Sequence, residues 1–462
     1  MLTLSNILSE LNSALHSFLL GPVMLTAFIG VGLYFNIRTG FFPITKIKFW
    51  LSKTLLALFR KKSRTASGKA LSSFEALFAA LAGSMGTGNI TGVATAIVFG
   101  GPGAIFWMWV SAFLGMMTKY AENVLGMLFR EKKADGSGYY GSPMLYMEKG
   151  LHCRPLAIMF ASCCVLASFG LGNMTQGNSV ATALEASLFI PPIYCGIALA
   201  IIVAIVIMGG LKRIGTLTSY LIPIVSVVYL ICAVIILIVN ADTLPAVFAL
   251  IFKEAFRLSS VGGGVLGYGI KKALETGISR GVFSNEAGLG SSVMVYSSSE
   301  SASPSEQGMW GIFEVFLDTI IICTLTALVI LCSGVYDINL YEDALINGYT
   351  SLPNGSVLAS NAFASVFGSF GPYFISISMA LYAFATLLTW SHYGSISCEY
   401  LFGKKSIPYY NILFLIFIII GCIVKLEVIW NIADTLNCLL AIPNLIALIL
   451  LSGKVIKTVR DI

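Results

Sequence analysis

Residues 74–97 read FEALFAALAGSMGTGNITGVATAI, and residues 277–292 read GISRGVFSNEAGLGSS. Each stretch starts as an apolar helix and then breaks its own pattern. In the first, Gly83, Gly86 and Gly88 fall within six residues, and each Gly in a helix interior costs ~1 kcal/mol against Ala. In the second, Gly281, Gly288 and Gly290 surround Ser284-Asn285-Glu286. A helix broken inside a bilayer frees backbone N–H and C=O groups, at several kcal/mol each if they face lipid. A substrate carboxylate satisfies freed N–H groups at the positive end of a half-helix, and a cation satisfies freed carbonyls. Paired interruptions of this kind mark the binding site of a secondary transporter. The simpler alternative is glycine serving close helix packing. Two such clusters at matching positions, each holding an Asn, argue against it.

The rest of the chain fits a membrane. Of 462 residues, 57% are hydrophobic and only 11% charged. Soluble domains carry about 25% charged residues, so this chain cannot cover a water-facing surface. That excludes a nucleic-acid binder and an ordinary soluble enzyme. A span needs ~20 apolar residues. Eleven are predicted: 17–36, 71–99, 102–129, 155–186, 190–209, 215–240, 265–299, 307–333, 372–397, 408–424 and 428–453. The first follows a stretch without Lys or Arg, so a span is expected there and not a cleaved leader.

Basic residues orient the array. Segment 37–70 holds nine Lys/Arg and no acid, which places it in the cytoplasm and the N-terminus outside. Alternating from there, the inside segments hold 21 Lys/Arg and the outside segments three. The C-terminus is then cytoplasmic. Residues 44–62 and 242–258 read as amphipathic surface helices, each preceding one of the two interrupted spans. Loop 334–371 reads as a long outside segment. The ten cysteines sit mostly in apolar runs and read as small packing residues.

Five spans separate the starts of the two interrupted elements, an odd number, so the second enters from the opposite side. The predicted architecture is an all-α polytopic membrane protein with eleven transmembrane helices. A 5+5 inverted repeat follows one extra N-terminal helix. Residues 1–70 hold that helix and a basic cytoplasmic amphipathic segment. Residues 71–240 form the first five-helix unit, and 241–453 form the second with its periplasmic amphipathic helix. Residues 454–462 are a cytoplasmic tail.

At these residues the sequence resembles the alanine/glycine:cation symporter family, within the leucine-transporter-type folds. The carrying strings are AGSMGTGNITGVATAI (82–97), GNMTQGNSVA (172–181), RGVFSNEAGLGSS (280–292), TLLTWSHYG (386–394), and Ala433-Asp434 with IPNLIAL (442–448). Departures from the family pattern are His392, where an aromatic is commoner, and Ser84-Met85 at the break. The resemblance implies Na⁺-driven import of alanine or glycine, with D-alanine and H⁺ coupling as variants. The setting would be a bacterial or archaeal cytoplasmic membrane, with the lipid bilayer and a small amino acid as partners and a monomer as the working unit.

The same resemblance implies the site. Backbone N–H groups at Thr87, Gly88 and Asn89 would hold the substrate carboxylate. The carbonyls of Ala82 and Met85 would face Na⁺, with hydroxyls of Thr386 and Thr389 completing it; hard cations prefer such oxygens. Gln176 would hydrogen-bond the substrate, sharing a helix face with Asn173. Phe283 and Trp390 would wall a cavity too small for side chains beyond a methyl. Asn89 also reads as a tie across the break, Gln176 as an interhelical bond, and the Thr hydroxyls as bonding their preceding turn.

Intramembrane ionisable groups are functional candidates by default. Here they include Lys119, Glu122, Glu185, Glu286, Glu314, Asp318 and Asp434. Lys119 and Glu122 are expected to pair with each other. Glu286 is expected to satisfy broken backbone or pair with Arg280. Ser303-Pro-Ser-Glu306 reads as a capping box. Three alternatives compete: a proton-coupled carrier of another small solute, a channel, and an intramembrane enzyme. His16, His152 and His392 lie far apart, and GTGNITG lacks the lysine of a phosphate cradle.

Overall fold

The structure is a computed structural model that describes residues 22–58, 71–133, 138–257, 268–301, 303–347, 352–424 and 426–461. The start of the first predicted span and the end of the basic segment lie outside the described residues. Almost all regular structure is helical: α1 (Pro22–Arg38), α2 (Ser73–Ser84), α3 (Thr91–Gly100), α4 (Gly103–Leu128), α5 (Arg154–Leu188), α6 (Pro192–Ile207), α7 (Gly210–Val239), α8 (Leu244–Ala255), α9 (Tyr268–Asn285) and α10 (Val293–Tyr296). Then come α11 (Pro304–Cys332), α12 (Gly355–Phe367), α13 (Phe370–Phe402), α14 (Ile407–Ile423), α15 (Leu426–Leu450) and α16 (Ser452–Arg460).

Among the described residues, six helices are long and apolar enough to cross a membrane: α5, α7, α11, α13, α14 with its lead-in turn, and α15. The predicted span 71–99 is two shorter helices, α2 and α3. The predicted span 265–299 is α9 followed by the single turn of α10. An interrupted span was expected there, and its second part is this one turn. The sequence VMVYSSSE explains the shortfall, because its serines compete with the helix ladder for backbone groups. The chain instead runs on to meet Leu71, whose carbonyl accepts from the Glu300 amide at 3.0 Å.

Helices of the first predicted five-helix unit pack on helices of the second. α3 meets α9, α4 meets α11, α5 meets α13, and α6 meets α14. The fifth members make matching contacts, α7 with α13 and α15 with α5. The interrupted helices therefore lie together at the centre. α2 is anchored by a capping box between Ser72 and Glu75, and Lys212 donates to Glu75 from the start of α7 at 2.8 Å.

Several local expectations change. At the start of α11 only half the capping box forms. Ser303 Oγ accepts from the Glu306 amide at 3.2 Å, while the Ser303 amide donates to Ser301 Oγ at 3.3 Å. The described part of 44–62 is broken into short pieces, Phe42–Thr45, Ile47–Lys53 and Leu55–Leu58, with Thr54 bonding back to Trp50. Segment 242–258 does hold one helix, α8. The loop 334–371 carries two helices, Ile338–Asn347 and α12. The second buries Leu358, Ala359, Ala362 and Phe363 completely. Charge counting had hidden that apolar face.

Two helices contain a widened, π-type turn, at Gly170–Met174 in α5 and at Phe316–Cys323 in α11. Such turns insert a residue into the ladder and re-aim neighbouring side chains, often at functional sites.

Candidate functional site

The first break begins where the ladder of α2 fails. The Gly86 amide donates to the Ser84 carbonyl at 2.8 Å instead of continuing to Ala82. Gly86 then turns through φ −116°, ψ −148°, and Thr87–Asn89 form a tight 3₁₀ turn before α3. Gln176 reaches this turn from α5. Its Oε1 accepts from the Thr87 amide and from Thr87 Oγ1, both at 3.1 Å. Its Nε2 donates to the Leu171 carbonyl at 3.0 Å, which fixes the amide's direction. Asn173 does not share this face. It donates to the Phe414 carbonyl on α14 at 2.7 Å, because the wide turn at 170–174 separates the two amides.

Span α13 closes the other side. A Cβ on Gly86 would lie 2.6 Å from Thr386 Oγ1 and 2.8 Å from Gln176 Oε1, and a Cβ on Gly83 would lie 3.3 Å from Thr389 Cγ2. Glycine is thus required here for close approach of polar groups to backbone. Thr386 Oγ1 donates to its preceding turn at Tyr382 (3.1 Å), as the plain reading allowed. Thr389 Oγ1 donates to Ala79 on α2 at 3.1 Å. Phe283 packs beside Gly88, where a Cβ would touch its ring at 3.3 Å. Trp390 covers Gly172, where a Cβ would fall 2.2 Å from the indole. Thr87, Asn89, Gln176, Phe283, Thr386, Thr389 and Trp390 are all buried, so the region is closed from both ends.

The second break is held by charges. Lys119 does not pair with Glu122. Its Nζ donates to the Asn285 carbonyl at 3.1 Å and pairs with Glu314 at 3.2 Å, both side chains fully buried. Glu122 Oε1 accepts from the Gly288 and Gly290 amides at 2.9 and 3.0 Å and from Asn444 Nδ2 at 2.6 Å. Three residues apart on one helix, Lys119 and Glu122 take opposite ends of the same broken backbone. Glu286 sits at φ +56°, a conformation costing ~1–3 kcal/mol away from Gly. It does not pair with Arg280: its carboxylate accepts from Trp390 Nε1 at 2.7 Å and from Ser291 Oγ at 2.5 Å.

Arg280 instead pairs with Asp434 through two bonds, at 3.1 and 2.5 Å. Its guanidinium lies 4.5 Å over the Trp430 ring. Trp430 in turn packs on Phe283 with ring centroids 4.5 Å apart. This stack caps Phe283 and joins α9 to α15. Trp430 stood in no motif. The available signal was its i, i+4 spacing to Asp434, which puts both on one helix face.

Comparisons with known proteins give the family and the fold. The model of the sodium:alanine symporter family matches residues 4–462. The sodium/alanine symporter AgcS of Methanococcus maripaludis is 40% identical over 98% of this chain and 96% of its own length. The probable sodium/glutamine symporter GlnT of Bacillus subtilis is 34% identical over 99% of this chain and 91% of its own. Among solved structures, MhsT in complex with L-phenylalanine superposes with a TM-score of 0.60. It is 12% identical and covers 83% of this chain and 90% of that one.

Proposed function

Because this chain belongs to the sodium:alanine symporter family, a family of transporters and not of enzymes, we propose that it imports small neutral amino acids, alanine and glycine first, by Na⁺ symport. The observation that carries this reading is the convergence of Gln176 and Thr386 on Gly86 at the break of the first interrupted helix. A substrate carboxylate would take the backbone N–H groups of Thr87–Asn89, displacing Gln176 Oε1, and Gln176 would turn to the substrate. Phe283 and Trp390 would bound the side-chain end.

The Na⁺ ion travels as cargo. The Ala82 carbonyl, whose ladder partner Gly86 has turned to Ser84, and the Met85 carbonyl would face it, with the Thr386 and Thr389 hydroxyls. These oxygens suit a hard monovalent cation. The Arg280–Asp434 pair and Trp430 would form the outer closure, and the Glu286–Trp390 contact would brace the inner one.

The wider arrangement belongs to the same proposal. Eleven spans cross a prokaryotic cytoplasmic membrane, N-terminus outside and C-terminus inside, with α2–α7 and α9–α15 as inverted units. The protein works as a monomer. Alternating access then follows from rocking the interrupted helices against α5 and α13.

The test is radiolabelled L-alanine uptake into proteoliposomes with and without an inward Na⁺ gradient. Accumulation above equilibrium is expected only with the gradient. Accumulation driven by a proton gradient alone would refute Na⁺ coupling, and no alanine flux under either gradient would refute the substrate.

A further inference from the structure

The basic amphipathic segment and the start of α11 enclose a space that neither break uses. Trp50 anchors the Ile47–Lys53 helix against α11. It is buried, its ring packs on Phe316 with centroids 5.7 Å apart, and its Nε1 donates to the Pro43 carbonyl at 2.9 Å. Ile44, Ile47, Leu55 and Leu56 of the same segment stay exposed. Apolar residues presented by a basic amphipathic helix belong at the headgroup boundary of a bilayer. Between this segment and α11 lies a cavity of about 360 Å³, walled by Phe49, Lys53 and Ala57 on one side and by Ser305, Glu306 and Met309 on the other. That volume is within the range of small-ligand pockets.

Two opposite charges line the cavity without meeting. Among the described residues neither Lys53 nor Glu306 has an ion pair. Lys53 Nζ stands 5.9 Å from the Phe49 ring centroid, where the ring face favours a cation. Glu306 would complete a capping box by accepting from the Ser303 amide. That amide donates to Ser301 Oγ instead, so the carboxylate is left over. Ser305 Oγ, in the same wall, is buried without a hydrogen-bond partner, and a buried hydroxyl normally has one. A cation, a carboxylate and an unused hydroxyl around one cavity suit a ligand that carries both signs.

We propose that this cavity holds the headgroup of a phospholipid bearing a primary ammonium, the phosphoethanolamine type. The phosphate would pair with Lys53. The ammonium would donate to the Glu306 carboxylate and to Ser305 Oγ. Met309 and the exposed Leu55 and Leu56 would lie along the acyl chains. Glu306 repels a purely anionic headgroup, and a trimethylated ammonium has no N–H to give it. A lipid in this place ties the amphipathic segment to the first turn of α11, so headgroup composition would act on a helix that packs along α4.

The site lies apart from the two breaks, and its test does not depend on the symport reading. The test is native mass spectrometry of the purified full chain in detergent. Phosphatidylethanolamine, phosphatidylglycerol and phosphatidylcholine with the same acyl chains are added in turn. Phosphatidylethanolamine should bind about tenfold tighter than either of the others. Glu306→Gln removes the charge and keeps the shape, and should bring phosphatidylglycerol within about twofold of phosphatidylethanolamine. Lys53→Gln should weaken phosphatidylethanolamine about tenfold. Ala57→Trp fills the cavity without altering a charge and should weaken it as much, so it decides the matter if a charge variant does not fold. Equal binding of the three lipids, or an unchanged preference in Glu306→Gln, overturns the proposal. So does free phosphoethanolamine binding as tightly as the lipid, which would make the occupant a soluble molecule.

Discussion

Replacing Gly86 by alanine tests the binding site through geometry alone. The new Cβ would stand 2.6 Å from Thr386 Oγ1 and 2.8 Å from Gln176 Oε1. Ordinary contact begins near 3.4 Å, so the two groups must retreat by roughly 0.8 and 0.6 Å. Gln176 Oε1 now accepts from Thr87 twice at 3.1 Å. A retreat of that size takes both bonds of the substrate-free state to the limit of a hydrogen bond, at about 1 kcal/mol each, and the same methyl crowds the backbone amides that a substrate carboxylate would take. Overpacking of a tight interior adds ~1–3 kcal/mol. The expected result is a KM for alanine raised about 10- to 100-fold, equivalent to ~1.4–2.8 kcal/mol, with a lower thermal midpoint. Gly30→Ala is the control. Gly30 lies in α1, and a methyl placed on it would meet nothing within 4 Å; alanine in a helix is worth up to ~1 kcal/mol over glycine. Its uptake should match the unaltered protein. A Gly86→Ala protein with alanine KM within about twofold of normal would show that Gly86, Gln176 and Thr386 do not surround the substrate.

Three other substitutions follow. Gln176→Ala should weaken alanine uptake while the purified protein stays monodisperse; unchanged uptake kinetics would remove Gln176 from the site. Arg280→Gln breaks both bonds to Asp434 and the contact with Trp430, and Na⁺-driven uptake should fall about tenfold, ~1.4 kcal/mol. Uptake within twofold would mean that this pair does not hold the outer closure. Lys119→Met strands the Glu314 carboxylate, fully buried at 3.2 Å from the lysine, and should destabilise the protein by about 3–5 kcal/mol. Adding Glu314→Gln should recover much of the lost thermal midpoint, and a double variant no better than the single would show that the two charges are not coupled.

What the sequence made legible follows from what has a local signature. Glycine clusters have one, so both breaks were placed within a few residues. The Thr386, Thr389 and Trp390 positions came with the family strings, and their i, i+3, i+4 spacing puts them on one face of α13. The partners of the buried charges had none. Lys119 and Glu122 are neighbours on one turn, which suggested a pair. Their true partners, Glu314 and the backbone of Gly288 and Gly290, come from segments more than 150 residues away. The same limit hid the Arg280–Asp434 pair. The split between Asn173 and Gln176 was illegible for another reason. A widened turn changes the register of every following side chain, and nothing in GLGNM announces it.

The two breaks are satisfied by different kinds of group, and the difference assigns them different work. At the first break the groups that meet Gly86 and the Thr87 amide are neutral: an amide from Gln176 and a hydroxyl from Thr386, with Thr389 nearby. Exchanging Gln176 Oε1 for a substrate carboxylate trades one acceptor for a stronger one at the same N–H groups. No charge is stripped of its partner in the process. At the second break Lys119 and Glu122 grip the freed carbonyl and amides directly. Removing Lys119 would strand the Glu314 carboxylate in a dry interior, and removing Glu122 would leave the Gly288 and Gly290 amides without that acceptor, so that backbone is fixed rather than exchangeable. Glu286 extends the fixed part to Trp390, which in the proposed binding mode would bound the substrate from the second break. In the proposed binding mode a ligand would therefore rearrange one interrupted helix and meet the other as a fixed wall.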